Sequence, residues 1–195
     1  MTEDQIIRHC APTLAGIKTA SLFTCSCEDK KTLLDTLRQL NRRFAPKGLR
    51  LLPLRYSEKK ALIYVFRPAK LRSDLSHDTA AQLLETCGYN TGSCEKCVGC
   101  LAKKLRSQPD FPHEIGLFLG YPVEDVCGFM EKGPDACKCS GCWKVYGDEE
   151  AAKKKFAQYK KCTRIYCDQW AKTQDLERLV VPSPERSVSK TNHTS

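Results

Sequence analysis

Between Gly48 and Pro68 the chain carries two apolar runs, LRLLPLRY over Leu49–Tyr56 and ALIYVFRP over Ala61–Pro68, parted by Ser57-Glu58-Lys59-Lys60. Two β-prone runs joined by a short polar connection specify a hairpin, so this chain must build a sheet. Pro53 lacks a donor for a ladder, which makes the first run an edge or irregular strand. TASLFTCSC, Thr19–Cys27, is rich in β-formers and reads as a further strand, and Cys142–Tyr146 as a short fourth.

The remaining periodic segments are helical. Thr2–His9 reads as a short helix ended by Ala11-Pro12. Leu33, Leu37 and Leu40 stand at helical spacing within Glu28–Phe44, stopped by Pro46-Lys47-Gly48. From Leu71 the period stays helical, with Ala80, Leu83, Leu84 and Cys87 on one face. His113–Leu119 is closed by Gly120, and the next helix is opened by Pro122 with Glu124 and Asp125 in its first turn. Asp148 caps a long helix that runs to about Trp170. The expected architecture is α+β. A small mixed sheet from Thr19–Cys25, Leu49–Tyr56, Ala61–Arg67 and Cys142–Tyr146 is covered by helices, with the last amphipathic helix packed across it by its aromatic face. Residues 1–180 read as one domain and 181–195 as a disordered, polar, Pro/Ser-rich tail.

The 195 residues include 13 cysteines. The start MTEDQIIRHC carries acids and no apolar core, so no secretory signal is read, and the cytoplasm is the expected location. Thiols stay reduced there, which turns an odd cysteine count away from disulfides and towards metal, thiol chemistry or burial. No apolar run is long enough to cross a bilayer. The net charge of +9 points to anionic partners.

CKCSGC presents Cys137, Cys139 and Cys142, the last two around a Ser140-Gly141 turn that suits one thiophilic metal ion. Cys127, Cys162, Cys167 or His113 would complete the set. Zinc or an iron–sulfur cluster suits such thiolates. Cys94, Cys97 and Cys100 imitate the opening of a ferredoxin run, but the fourth position is Lys104. With Val98, Leu101 and Leu105, Cys94 and Cys97 fall on one helical face, which favours burial.

Two further features bear on partners. On the last helix Ala152, Phe156, Tyr159, Thr163, Tyr166 and Trp170 line one side, and Lys153, Lys154, Lys160, Lys161 and Arg164 the other. The basic face reads as solvated, or as a surface for an acidic protein or the phosphate backbone of RNA; no nucleic-acid motif accompanies it, which weighs against nucleic acid. Lys18 precedes the first strand, Arg67 closes the third and His113 opens the central helix pair. Such positions converge at sheet ends, where small anions bind. No Ser/His/Asp arrangement, Walker loop or dinucleotide fingerprint is present.

The phrases FPHEIGLFLGYPVEDVCGF and CKCSGCWKVYGDEEAAKKKFAQYKKCTRIYC, with CAPTLAGIKTASLF and ALIYVFRPAKL, carry a resemblance. The chain resembles an uncharacterised bacterial domain-of-unknown-function family of mainly anaerobic Firmicutes, from about Cys10 to Cys167. That resemblance implies a bacterial cytoplasm and an anaerobic setting in which exposed thiolates are tolerated; it brings no activity or cofactor. Lys18, Arg67, His113, Glu114, Cys139 and Cys142 lie within the matching phrases. The leading expectation is a thiol-rich metal-binding or redox-handling accessory centred on Cys137, Cys139 and Cys142. The alternatives are a module or enzyme that binds a phosphorylated or carboxylated small molecule through Lys18, Arg67 and His113, and an interaction protein using the basic helix.

Overall fold

The computed structural model describes residues 1–108 and 110–184, so most of the expected tail, 185–195, lies outside the described residues. Helix α1 (Glu3–Leu14) is opened by a capping box between Thr2 and Gln5. It leads to β1 (Ala20–Ser26), then α2 (Lys30–Phe44), whose start Asp29 caps through Lys31 and Thr32. The hairpin follows as β2 (Arg50–Ser57) and β3 (Lys60–Phe66). A run of helices comes next: α3 (Pro68–Leu75), α4 (Asp78–Thr86), α5 (Cys94–Ser107), α6 (Ile115–Phe118) and α7 (Val123–Lys132). A two-stranded ribbon, β4 (Cys139–Ser140) and β5 (Lys144–Val145), precedes α8 (Glu149–Thr173) and α9 (Leu176–Leu179).

The main sheet has the order β1-β3-β2, and both pairings are antiparallel. The crossover through α2 makes β1 and β2 run the same way, but β3 is inserted between them, so no parallel ladder forms. The mixed sheet expected from the sequence is therefore antiparallel. β2 is an edge strand whose register shifts between Pro53 and Arg55, the irregularity that a proline without a donor imposes. The segment Cys142–Tyr146 does not join this sheet; its only ladder among the described residues is the β4–β5 ribbon.

β3 is central and buried on both faces, which is why ALIYVF reads as an unbroken apolar run. Ala61, Ile63 and Val65 face a core built with Ile6, Leu14, Leu37 and Phe44 from α1 and α2. Leu62, Tyr64 and Phe66 face a second core with Leu71, Leu84, Leu101 and Phe118 from α3 to α6. Cys97, Val98, Leu101 and Leu105 are buried there, as their spacing required, while Cys94, expected on the same face, is only partly buried. α8 packs along α1, using Tyr166, Cys167 and Trp170; it reaches the sheet through α1 and does not lie across it.

α1 continues through Pro12, where the sequence placed its end. A proline within a helix costs about 3 kcal/mol. Burial of Leu14, with no exposed surface, returns about 2 kcal/mol, and the buried Thr13–Ser21 hydroxyl pair at 2.9 Å adds to it. Among the described residues no helix is long and apolar enough to cross a membrane.

Candidate functional site

The chain between α1 and β1 turns at Gly16, whose φ of +75° is the left-handed region that glycine tolerates. The N–H groups of Ile17 and Lys18 both donate to the Pro12 carbonyl at 3.0 Å, which fixes where Lys18 leaves the backbone. Its side chain enters a cavity of about 450 Å³. The walls come from the segment just before β1, α3, the α6–α7 turn, the ribbon and the first half of α8.

The Lys18 ammonium stands over the Tyr121 ring, 5.4 Å from its centroid, and 6.0 Å from that of Tyr159. Among the described residues no carboxylate or carbonyl receives it. Desolvation lowers its pKa below the ordinary 10.5, and the neighbouring Cys142 and Cys10 thiols oppose that only in part. Burial also pushes the Tyr121 and Tyr159 phenols up to about 12, so both rings are neutral at physiological pH.

Thr19, the next residue, is buried and donates its hydroxyl to Asp74 Oδ2 on α3. Gly120 makes this approach possible. Its φ is +72°, and a Cβ there would meet Thr19 at 2.7 Å and Asp74 at 3.3 Å. Lys70 and Asp74 are four apart on α3, and Ala151, Lys155 and Tyr159 repeat that spacing on α8. Each set makes one stripe on its helix. His77, just beyond α3, adds a further polar group to the lining.

Asp125 braces the far wall. Its Oδ1 accepts from Tyr146 N and Gly147 N, each at 2.7 Å, and its Oδ2 from Trp143 Nε1 at 2.7 Å. This ties the ribbon to α7 and holds Trp143 stacked on Tyr121, with centroids 5.0 Å apart, and edge-on to Phe156. Asp148 caps α8 through Ala151 N. Two of the acids that line the cavity are thus engaged in holding its frame, while Lys18, Lys70 and Lys155 stay outside any ion pair among the described residues.

The three expected anion ligands are not brought together. Arg67 is buried, at 1% exposure. Its guanidinium donates to Thr13 O (2.6 Å), Leu14 O (2.6 Å), Val181 O (2.7 Å) and Ser183 Oγ (3.1 Å). It clasps residues 181–183 to the end of α1, with Val181 N donating to Leu14 O and Ser183 N to Lys47 O. His113 packs edge-on against Phe129 in a separate apolar crevice of about 310 Å³. Its neighbour Glu114 is buried, accepting from Lys104 Nζ at 2.8 Å and from Tyr89 Oη at 3.0 Å.

The expected metal ligands do not gather either. Among the described residues no three His, Cys, Asp or Glu side chains stand together so as to hold a metal ion. Cys137 and Cys139 are neighbours, and Cys139 packs against the Trp143 cluster. Cys142 lies beyond the Gly141 turn beside Lys18, where desolvation pushes its thiol up. Cys127 is on α7, while Cys162 and Cys167 are on α8. The ribbon gives the physical reason: its turn at Gly141 parts the exposed Cys142 from the pair that precedes it. On the basic face Lys153 pairs with Glu149 at 2.8 Å, and Lys154, Lys160, Lys161 and Arg164 are exposed.

Thr19, Lys70, Asp74, Tyr121 and Lys155 were not singled out from the sequence as members of a site. The four-residue spacings on α3 and α8 were the only local signal, and such spacings are common on solvated helices. No curated protein and no solved structure matches this chain significantly. A family model described as "Protein of unknown function (DUF3793)" matches residues 6–180, and the chain belongs to that family.

Proposed function

We propose that the protein binds a small anionic molecule, phosphorylated or carboxylated, in the cavity around Lys18. One observation carries this reading: a half-buried ammonium, stripped of much of its water, points into a cavity, stands over ring faces and, among the described residues, finds no oxygen acceptor. Burying a cation without a hydrogen-bonding partner is costly, and cation–π attraction offsets only about 0.5–2 kcal/mol of that cost. An oxyanion supplies the missing acceptor. Lys70 and Lys155 also line the cavity, from α3 and α8, and of the four acids that share it Asp125 and Asp148 are engaged by donors of the frame. The neutral tyrosines and Trp143 offer flat apolar walls for the rest of the ligand.

Isothermal titration with ethyl phosphate tests this directly. The native chain is expected to bind it saturably, and Lys18→Met to lose about 10- to 100-fold in affinity, the worth of one charge-assisted hydrogen bond. Equal binding by native protein and Lys18→Met, or no binding by either, refutes the reading.

A further inference from the structure

The same cavity holds an opposite charge that Lys18 does not neutralise. Asp74 is half-buried on α3, oriented by the Thr19 hydroxyl, and it shares the Tyr159 ring as a neighbour with Lys18. Both side chains line the cavity, yet no ion pair joins them, and no other lysine, arginine or histidine among the described residues pairs with Asp74. Two opposite charges in a shared, partly dry space attract strongly at low dielectric. Here the fold keeps them apart. The backbone hydrogen bonds at Pro12 aim Lys18, and the bond from Thr19, pressed by Gly120, aims Asp74.

From this we infer that the ligand is amphoteric: its anionic group meets Lys18, and an ammonium elsewhere on the same molecule meets Asp74. The inference rests on the anion-binding reading above and adds its second half. The other lining acids are poorer candidates for this contact. Asp125 accepts three hydrogen bonds and Asp148 caps α8, while Glu124 lies against Gly147. Asp74 spends one oxygen on Thr19 and keeps the other.

The test compares two pairs of probes on the full chain by isothermal titration: 2-aminoethyl phosphate against ethyl phosphate, and 4-aminobutyl phosphate against butyl phosphate. At least one amino compound is expected to bind 10-fold or more tightly than its plain partner. Asp74→Asn retains an acceptor for Thr19, and it should erase that preference, so that each amino compound binds no more tightly than its plain partner. Lys18→Met should weaken both members of each pair. If the plain phosphates bind through Lys18 but the amino group adds nothing, or if its advantage survives Asp74→Asn, the amphoteric inference falls and the anion site stands. If the plain phosphates bind no less well to Lys18→Met, or bind to neither protein, both fall.

Discussion

Lys18 and Arg67 occupy matching places in the sheet and have opposite fates. Lys18 stands two residues before β1, and Arg67 directly follows β3. The strands pair Ala20 with Phe66, and Arg67 N donates to Thr19 O at 3.0 Å. From the sequence both are cations at one sheet end. In the structure the guanidinium turns towards α1 and spends its donors on three carbonyls and a hydroxyl, becoming a clasp for the C-terminal segment. The ammonium turns the other way and meets rings. A buried cation whose donors are spent on the backbone is part of the frame; one left without acceptors in a cavity is a place for something to bind.

The comparison is sharpened most by removing the clasp. Arg67→Met leaves two carbonyls at the end of α1 and one at Val181 without their charged donor. It should cost about 4 kcal/mol, lowering the melting temperature by about 10 °C for a chain of this size. A Tm within 2 °C of native would show that Arg67 is not structural. Asp125→Ala comes next, at about 3 kcal/mol, because three donors from the ribbon lose one carboxylate. Near-ultraviolet circular dichroism should record the loosening of Trp143 alongside the lower Tm.

Lys18→Met should act in the reverse sense. Its pKa is lowered on folding, so between that value and the ordinary 10.5 the unfolded chain holds more protons and stability rises with pH. Below that window the charged side chain penalises the fold. Lys18→Met should therefore raise the Tm at pH 7 by about 2–4 °C, for about 1 kcal/mol. The difference from native should shrink as pH climbs towards 10.5, and denaturation followed at several pH values measures it. A variant less stable than native at pH 7 would break the contrast with Arg67.

The smallest effects belong to the thiols. Cys139→Ser and Cys142→Ser are each expected to change stability by less than about 1 kcal/mol, and a chelator to move the Tm by less than that. A large loss on chelation would restore the metal reading of CKCSGC.

Much of this fold was legible because burial writes itself into spacing. ALIYVF announced a strand, Pro53 an irregular edge, and Cys94, Cys97, Val98, Leu101 and Leu105 a helical face, of which all but the half-buried Cys94 are buried. Pro12 misled because tertiary packing of Leu14 and Thr13 outweighs a local break. The ribbon misled because, among the described residues, Lys144–Val145 pairs only with Cys139–Ser140, a contact too local to signal that the main sheet would exclude it. Of the site, Lys18 was visible as a cation beside a strand. Asp74 and Lys155 were not, since their sharing one cavity depends on where the fold places α3 and α8 and on the absent side chain of Gly120. Nothing in the spacing distinguished Arg67 from Lys18; only the carbonyls at the end of α1 do that.

The most direct measurement is the titration of Lys18 itself, followed by NMR of the ¹³C-labelled lysine side chains and assigned with Lys18→Met. One lysine, Lys18, is expected to titrate below the ordinary range in the free protein. Ethyl phosphate should shift that resonance saturably and carry its pKa back up, because a bound anion stabilises the charged form. A Lys18 that titrates like its solvent-exposed neighbours and ignores ethyl phosphate would contradict the central claim.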